Sequence, residues 1–173
     1  MRIFSIDPGL TGAFAVVVDG RPTLCGDMPT SGEGTKRRVQ ASVLANIMRG
    51  ELPDLVVIEQ SWSRPTDGAM QAFRFGVSYG AAVAIPQVLG YPVETVVPQL
   101  WKLRLGLRGQ DKEASRQKAL DLYPWLADQL RRKLDQNRAE AVLIGCYAAR
   151  TFDHDRPPAA SPIILPSQHM AEA

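Results

Sequence analysis

The sequence is poor in cysteine and histidine, which removes several classes of functional site. Among its 173 residues the two cysteines, Cys25 and Cys146, are too few for a disulfide framework or a cysteine-ligated zinc site. The two histidines, His154 and His169, lie in the C-terminal stretch, where we expect neither metal binding nor catalysis. Any metal site is therefore expected to use carboxylates and other oxygen ligands.

Long apolar runs are missing as well. Even the longest apolar runs are short, such as Phe14 to Val18, and lie far below the roughly 20 residues needed to cross a bilayer. Asp7 interrupts the apolar start of the chain almost at once, which is unlike a signal peptide. We therefore expect a cytoplasmic protein with no membrane partner.

The net charge of +2 hides an uneven distribution of charged residues. With 45% hydrophobic and 22% charged residues, the composition is that of a globular domain. Between Lys102 and Arg138, however, there are ten basic residues and only five acidic ones. Such a basic block favours a polyanionic partner, and the alternative of a solvated helix face stays open.

Hydrophobic periodicity predicts one α/β domain over residues 1–150. Strand-like runs, with Asp19-Gly20 as a hairpin turn, cover residues 2–6, 13–18, 21–28, 55–58 and 93–97. Helical patterns cover residues 39–50, 67–89, 112–122 and 136–150. We expect a mixed five-stranded sheet, with three antiparallel N-terminal strands plus two further strands, flanked by helices. The Pro-rich residues 151–173 are expected to form a mobile C-terminal tail.

Two acidic residues stand at the ends of predicted strands, where carboxylates are unusual. Asp7 directly follows the first strand, and Glu59 directly follows the most apolar one. A carboxylate beside a hydrophobic core loses hydration unless a cation balances it, so the pair can share a magnesium ion. The alternative for Asp7 is that it only begins a turn, as Asp before Pro-Gly often does.

A third acid, able to help hold a second metal ion, is predicted at the front of the last helix. Glu140 is the best candidate, and Asn137, three residues earlier, shares its helix face. Asp135 is interpreted first as the N-cap of this helix and only secondarily as a metal ligand. Two metal ions about 3.5–4 Å apart would activate a water and stabilise the leaving oxygen of a phosphodiester.

Three motifs carry a resemblance to a known family. They are Ile6-Asp7-Pro8-Gly9-Leu10-Thr11-Gly12-Ala13, Ile58-Glu59-Gln60 and Ala139-Glu140-Ala141. In order and spacing they are similar to the RuvC-type Holliday junction resolvases, over roughly residues 1–150. Phe73-x-Phe75-Gly76 and Pro98-x-x-Trp101-Lys102 resemble the phage and prophage branch of that family. The resemblance implies an RNase H-like fold, a homodimer and cleavage of four-way DNA junctions.

The resemblance also implies the contents of the active site. Asp7, Glu59 and Glu140 would hold two Mg²⁺ ions, with Mn²⁺ as a substitute and no nucleotide cofactor. Asn137 stands where the family has another Asp or a His, and it would be a weaker ligand, with Asp135 as its alternative. Lys102 and Lys112 resemble the basic residues near the scissile phosphate and would complete the catalytic set.

DNA contacts and a dimer interface follow from the same resemblance. Trp62 stands where the family places an aromatic residue that wedges into the junction, and the alternative is that it packs under the following loop. Further DNA contacts are expected at Gln60, Arg104, Arg108 and Arg116, although each arginine also fits plain surface. The helix at 67–89 matches the dimerisation region, through Phe73, Phe75, Gly76, Tyr79 and Gly80, and the alternative is that it only covers its own sheet.

The sequence thus favours a structure-selective endonuclease of DNA recombination or repair, with two alternatives. Asn at position 137 suggests a non-catalytic protein of the same fold that binds branched DNA. Asp7-x-Gly9-x-Thr11 also resembles the phosphate loop of actin-like kinases. Those enzymes have two such domains and commonly a far longer chain, which disfavours this second alternative.

Overall fold

The described part of the chain contains seven strands and five α-helices, besides three short 3₁₀ helices. The structure, a computed structural model, describes residues 1–63 and 66–152. The strands are β1 (Arg2–Asp7), β2 (Ala13–Val18), β3 (Arg21–Asp27), β4 (Thr30–Ser31), β5 (Arg38–Val39), β6 (Leu55–Glu59) and β7 (Val93–Val96). The helices are α1 (Ala41–Glu51), α2 (Ala69–Val88), α3 (Pro98–Arg104), α4 (Lys112–Leu122) and α5 (Gln136–Phe152). None of the described helices is long and apolar enough to cross a membrane.

Five of these strands form one mixed sheet in the order β3-β2-β1-β6-β7. β1, β2 and β3 are antiparallel neighbours, whereas β6 and β7 run parallel to β1. Asp19 and Gly20, with φ angles of 49° and 76°, make the tight turn between β2 and β3, which confirms the predicted hairpin. The predicted sheet of three antiparallel N-terminal strands plus two further strands is confirmed.

Helices cover both faces of the sheet, and the alternation of side chains along each strand decides which helix a residue meets. On one face Ile3 and Val57 pack into a core with residues of α4 and α5 and with the buried Trp101. On the other face Phe4 and Ile58 pack against α1 and α2. Side chains two residues apart on a strand therefore meet the same helices.

Helix α5 lies closer to the sheet than an ordinary side chain would permit. A Cβ at Gly145 would be 2.7 Å from both Ser5 Oγ and Val17 Cγ2, so glycine is required there. Ser5 Oγ donates a 2.7 Å hydrogen bond to the carbonyl oxygen of Ala141. These contacts fix the position of α5 over β1 and place Glu140, the residue before Ala141, near the strand ends.

Three elements differ from the sequence-based expectation. Val39 belongs to the short β4-β5 ladder instead of starting a helix, and the helix begins at Ala41. Pro98 does not only close β7, because it is the first residue of α3, a position where its missing N–H costs no helical hydrogen bond. Helix α5 runs to Phe152, two residues into the expected tail, and the remainder of that tail, 153–173, lies outside the described residues.

Candidate active site

The ends of β1 and β6 bring Asp7 and Glu59 to one edge of the sheet. The two strands are parallel neighbours and their register pairs Ile6 with Ile58, so the next residues end the strands side by side. Both carboxylates are buried, and strand alternation directs them to the face that α5 covers. Glu140, also buried, lies in the second turn of α5. The structure therefore places the three acids that the sequence singled out near one another, so that the charges of Glu59 and Glu140 act on Asp7.

The turn after Asp7 depends on close backbone packing. The Gly12 N–H donates a 3.1 Å hydrogen bond to the Gly9 carbonyl oxygen, which closes the turn from Pro8 to Gly12. A Cβ at Gly12 would lie 2.1 Å from the Asp7 carbonyl oxygen, a distance that backbone atoms cannot accommodate. Gly12 thus allows the chain to fold back directly over the end of β1.

Glu59 is oriented by a buried tryptophan. The Trp101 indole Nε1–H donates a 2.9 Å hydrogen bond to Glu59 Oε1. The Ser61 hydroxyl donates a longer, 3.4 Å bond to the other oxygen, Oε2. Because Trp101 is fully buried in the core under α5, the orientation of Glu59 is set by the packing of the domain.

Glu140 is held by two donors from the helices that precede α5. Lys102 Nζ lies 2.9 Å from Glu140 Oε1 in an ion pair, and the Ser115 hydroxyl donates a 3.1 Å hydrogen bond to the same oxygen. Lys102 is therefore placed at the acids, as the resemblance implied.

Burial disfavours the ionised form of the Asp7 and Glu59 carboxylates. It raises the pKa of Asp7 well above its ordinary value, and the negative charges of Glu59 and Glu140 add to this, while Lys112 and Lys102 oppose it. Burial also raises the pKa of Glu59, although the hydrogen bond from Trp101 acts in the opposite direction. Raised carboxylate pKa values of this kind are frequent at functional sites.

The chemistry of the donor set suits a divalent cation, but the described residues do not hold three such ligands in one cluster. Carboxylate oxygens are the ligands that Mg²⁺ prefers, and among the described residues none donates a hydrogen bond to the Asp7 carboxylate. Within residues 1–63 and 66–152, no three His, Cys, Asp or Glu side chains are close enough together to hold a metal ion. Lys102 and Trp101 instead engage one oxygen each of Glu140 and Glu59.

Asn137 is hydrogen-bonded to Lys112, whose charge acts on Asp7. Lys112 Nζ donates a 3.1 Å hydrogen bond to Asn137 Oδ1, and Asn137 Nδ2 donates a 2.6 Å hydrogen bond to the Thr11 carbonyl oxygen. Asn137 thus joins the turn after β1 to the first residue of α4.

Asp135 is engaged elsewhere. Its carboxylate accepts hydrogen bonds from the backbone N–H of Arg132 at 2.7 Å and from the Arg132 guanidinium at 2.6 Å. Burial raises the pKa of Asp135, but the bonds and charge of Arg132, with the charge of Arg138, outweigh burial and hold this pKa below its usual value. Asp135 therefore caps the 3₁₀ turn Lys133–Asp135 before α5, in place of the expected N-cap of α5.

The predicted DNA contacts differ in how accessible their side chains are. Trp62 is 65% exposed, and Arg104 and Arg108 are exposed as well. Arg116 is engaged inside the fold, because its guanidinium bonds to Glu113 and to the Leu130 carbonyl oxygen. Gln60 is half-buried beside β7.

Several residues of the site were missed or only partly foreseen by sequence reasoning. Trp101 was noticed as part of a pattern with Pro98 and Lys102, without a role for its indole. Ser115 and Ser61 carried no signal, because serine is common on helices and in loops, and Thr11 was part of the motif after β1 without a role for its carbonyl oxygen. Their contacts join residues far apart in sequence, such as the 126 positions between Thr11 and Asn137.

The sheet order, the flanking helices and the acids at the strand ends define the class of fold. It is the RNase H-like fold of the RuvC-type Holliday junction resolvases. No protein-family model matches the chain, and no curated protein matches its sequence.

Solved structures with this fold come from a bacterium and from yeast. A Thermus thermophilus RuvC in complex with a Holliday junction substrate has 20% identity and a TM-score of 0.61, over 88% of this chain and 96% of that one. Another structure of Thermus thermophilus RuvC has 19% identity and a TM-score of 0.55, over 87% and 96%. The yeast mitochondrial Holliday junction resolvase Ydc2 has 14% identity and a TM-score of 0.50, over 86% and 79%. At these identities the likeness is one of fold, and the likeness to the phage and prophage branch stays a prediction.

Proposed function

We propose that this protein is a metal-dependent endonuclease that cleaves four-way DNA junctions during recombination or repair. The observation that carries the proposal is the meeting of three buried acids, Asp7, Glu59 and Glu140, with Lys102 and Lys112 at the ends of β1 and β6. A structural neighbour with the same fold was solved on a Holliday junction substrate, which supports this choice of DNA.

In this proposal Asp7, Glu59 and Glu140 would hold two Mg²⁺ ions, for which Mn²⁺ can substitute, and metal binding would bring their carboxylates closer together than the described residues hold them. When bound, the metal ions would supply an activated water and would stabilise the leaving oxygen in phosphodiester hydrolysis. Trp101 keeps one Glu59 oxygen fixed and leaves the other nearly free, since its bond to Ser61 is 3.4 Å long. Lys102 neutralises Glu140 in the free protein and would turn to the scissile phosphate when DNA binds.

Exposed residues on either side of the acids would bind the branched DNA. The Trp62 indole can stack on an unpaired base at the junction, a contact worth about 1–3 kcal/mol per base. Arg104 and Arg108 are exposed and would contact backbone phosphates, and Gln60 lies next to the acids. The engagement of Arg116 by Glu113 makes it the weakest DNA contact of the set.

A homodimer through α2 is the second part of the proposal. One side of α2 packs on the sheet through Ser78, Ala82 and Pro86. The opposite side is solvent-exposed and free of charge, with the residues Met70, Phe73, Gly76, Val77, Gly80, Ala84 and Val88. A continuous apolar helix face of this kind marks a protein interface, and a second copy of the chain is the partner that the resemblance implies.

A nicking assay tests the proposal. Synthetic four-way junction, fork and linear duplex DNA are incubated with the protein and Mg²⁺ or Mn²⁺, and junction cleavage is expected to exceed duplex cleavage. Asp7→Asn should abolish nicking, whereas Asp128→Asn, the same change at an exposed aspartate outside the site, should leave it intact. Junction binding without any nicking would instead identify a non-catalytic junction-binding protein.

A further inference from the structure

Asn137 is the residue at which this chain departs most from the chemistry expected of its site. It lies in the first turn of α5, where the resemblance predicted a weak metal ligand. Both polar atoms of its amide are already engaged by protein groups. Oδ1 accepts a 3.1 Å hydrogen bond from Lys112 Nζ, and Nδ2 donates a 2.6 Å hydrogen bond to the Thr11 carbonyl oxygen.

The orientation of this amide follows from the chemistry of its two neighbours. If the Asn137 amide were flipped, its NH₂ group would face the Lys112 ammonium and its oxygen would face the Thr11 carbonyl oxygen. Both contacts would be repulsive, since an ammonium group has no acceptor and a carbonyl oxygen has no donor. The oxygen that a metal ion would need is therefore the one that Lys112 occupies.

We propose that Asn137 is a positioning residue that ties the turn after β1 to Lys112, and that it is not a metal ligand. The proposal rests on the proposed nuclease function, which it deepens. Because the turn from Pro8 to Gly12 directly follows Asp7, holding Thr11 also holds the backbone at the end of β1.

The contacts of the turn after β1 and of Lys112 support this role. On its other side the turn is held by Arg37, whose Nη2 donates a 2.9 Å hydrogen bond to the Leu10 carbonyl oxygen. Lys112 is exposed, and in the described part of the chain Asn137 is the one residue that accepts a hydrogen bond from it. A lysine without such an acceptor would sample many rotamers, and its ammonium would spend less time near Asp7.

The substitution Asn137→Asp distinguishes a positioning role of residue 137 from a metal-ligand role. Aspartate still accepts from Lys112, but it has no N–H, so a carboxylate oxygen would oppose the Thr11 carbonyl oxygen. If Asn137 positions the turn, junction cleavage falls by up to about 100-fold, the loss that a displacement of about 1 Å causes. If residue 137 is a metal ligand, the added charge strengthens the site, and a nicking rate at or above that of the native chain overturns the proposal.

Metal binding without DNA gives a readout that does not depend on activity. In calorimetric titration with Mn²⁺, Asn137→Ala is expected to lose less affinity for the ion than Glu140→Gln, because it loosens the turn beside Asp7 but removes no metal ligand. A loss of Mn²⁺ affinity in Asn137→Ala equal to that in Glu140→Gln overturns the proposal. A native chain that binds Mn²⁺ but nicks no DNA contradicts the proposed function alone.

Hydrogen exchange tests the tie to the turn directly, with or without metal. Amides of residues 9–12 are expected to exchange faster in Asn137→Asp and Asn137→Ala than in the native chain. Asn46→Asp makes the same change at an exposed asparagine of α1 and should leave this exchange unaltered. Unchanged exchange in Asn137→Asp would mean that the turn does not depend on Asn137, which overturns the proposal.

Discussion

The indole of Trp101 and the carboxylate of Glu59 are joined by a 2.9 Å hydrogen bond inside the core, 42 positions apart in sequence. Burial raises the pKa of Glu59, and the hydrogen bond from Trp101 lowers it again, so the tryptophan favours the charged form. The same bond fixes which Glu59 oxygen is turned toward the rest of the site. Trp101 therefore controls both the orientation and the charge of this acid.

Trp101→Phe removes this donor and leaves a buried Glu59 oxygen without it. We expect the protein to lose about 1–3 kcal/mol of stability, the usual cost of an unsatisfied buried group. The pKa of Glu59 should rise further, so the acid limb of the nicking pH profile should move to higher pH. Thermal melting and nicking rates over a pH series measure the two effects.

Trp125→Phe is the matched control for this change, because the Trp125 indole donates to the Pro22 carbonyl oxygen away from the acids. Trp125→Phe should lower the stability of the protein without shifting the pH profile of nicking. An unshifted profile in Trp101→Phe would contradict the role assigned to the indole.

Asp7→Asn is expected to stabilise the metal-free protein at neutral pH while abolishing cleavage. In the folded state burial raises the pKa of Asp7 above its ordinary value of 3.8. Between these two pKa values the folded state binds more protons than the unfolded state, so the free energy of unfolding falls as pH rises through this window. At pH values above the raised pKa, the decrease in the free energy of unfolding is complete. It amounts to about 1.4 kcal/mol for each tenfold difference in the proton affinity of Asp7 between the folded and unfolded states.

Melting temperatures in a chelator from acid to neutral pH check this prediction. Native and variant proteins should melt alike at acid pH below the ordinary pKa, and the variant should melt higher at neutral pH. Glu59, whose pKa burial also raises, should leave a residual slope in the variant. A variant that is less stable than the native chain at neutral pH would refute the assigned electrostatics.

Trp62→Ala should weaken junction cleavage without affecting the fold. The side chain is 65% exposed, so its removal should change the free energy of unfolding by no more than about 0.5 kcal/mol. Loss of one base-stacking contact should weaken junction binding by about 1–3 kcal/mol. Trp125→Ala, at a tryptophan that is 47% exposed elsewhere, should leave junction binding unchanged. Equal junction binding by native and Trp62→Ala proteins would remove Trp62 from the DNA interface.

Phe73→Glu should convert the expected dimer into a monomer. Phe73 is 64% exposed in the N-terminal half of the apolar face of α2, and a charge there would be buried against the second copy. Sedimentation or light scattering gives the oligomeric state, and the melting of the separated chains should change little. Leu103→Glu, at a leucine on α3 that is 57% exposed, should remain dimeric. A native chain that is monomeric at high concentration would exclude this interface.

Local patterns were sufficient to predict most elements and three residues of the site. The strands and the long helices have clear hydrophobic periods, and an acid after an apolar strand, as at Asp7 and Glu59, is unusual enough to stand out. Two parallel strands that end at the same sheet edge bring such acids together without further information. The short helix α3 and the β4-β5 ladder escaped prediction because segments of so few residues carry no measurable period.

The sequence by itself therefore determined the order of the five sheet strands and the four longer helices, and it singled out the three acids. The partners of those acids were decided only by tertiary structure: Trp101 on Glu59, Lys102 on Glu140, and Asn137 between Thr11 and Lys112. These bonds join elements that meet only once α3, α4 and α5 have packed on the sheet. Periodicity reports which face of an element is buried, whereas the identity of a hydrogen-bond partner depends on how two buried faces are placed against each other.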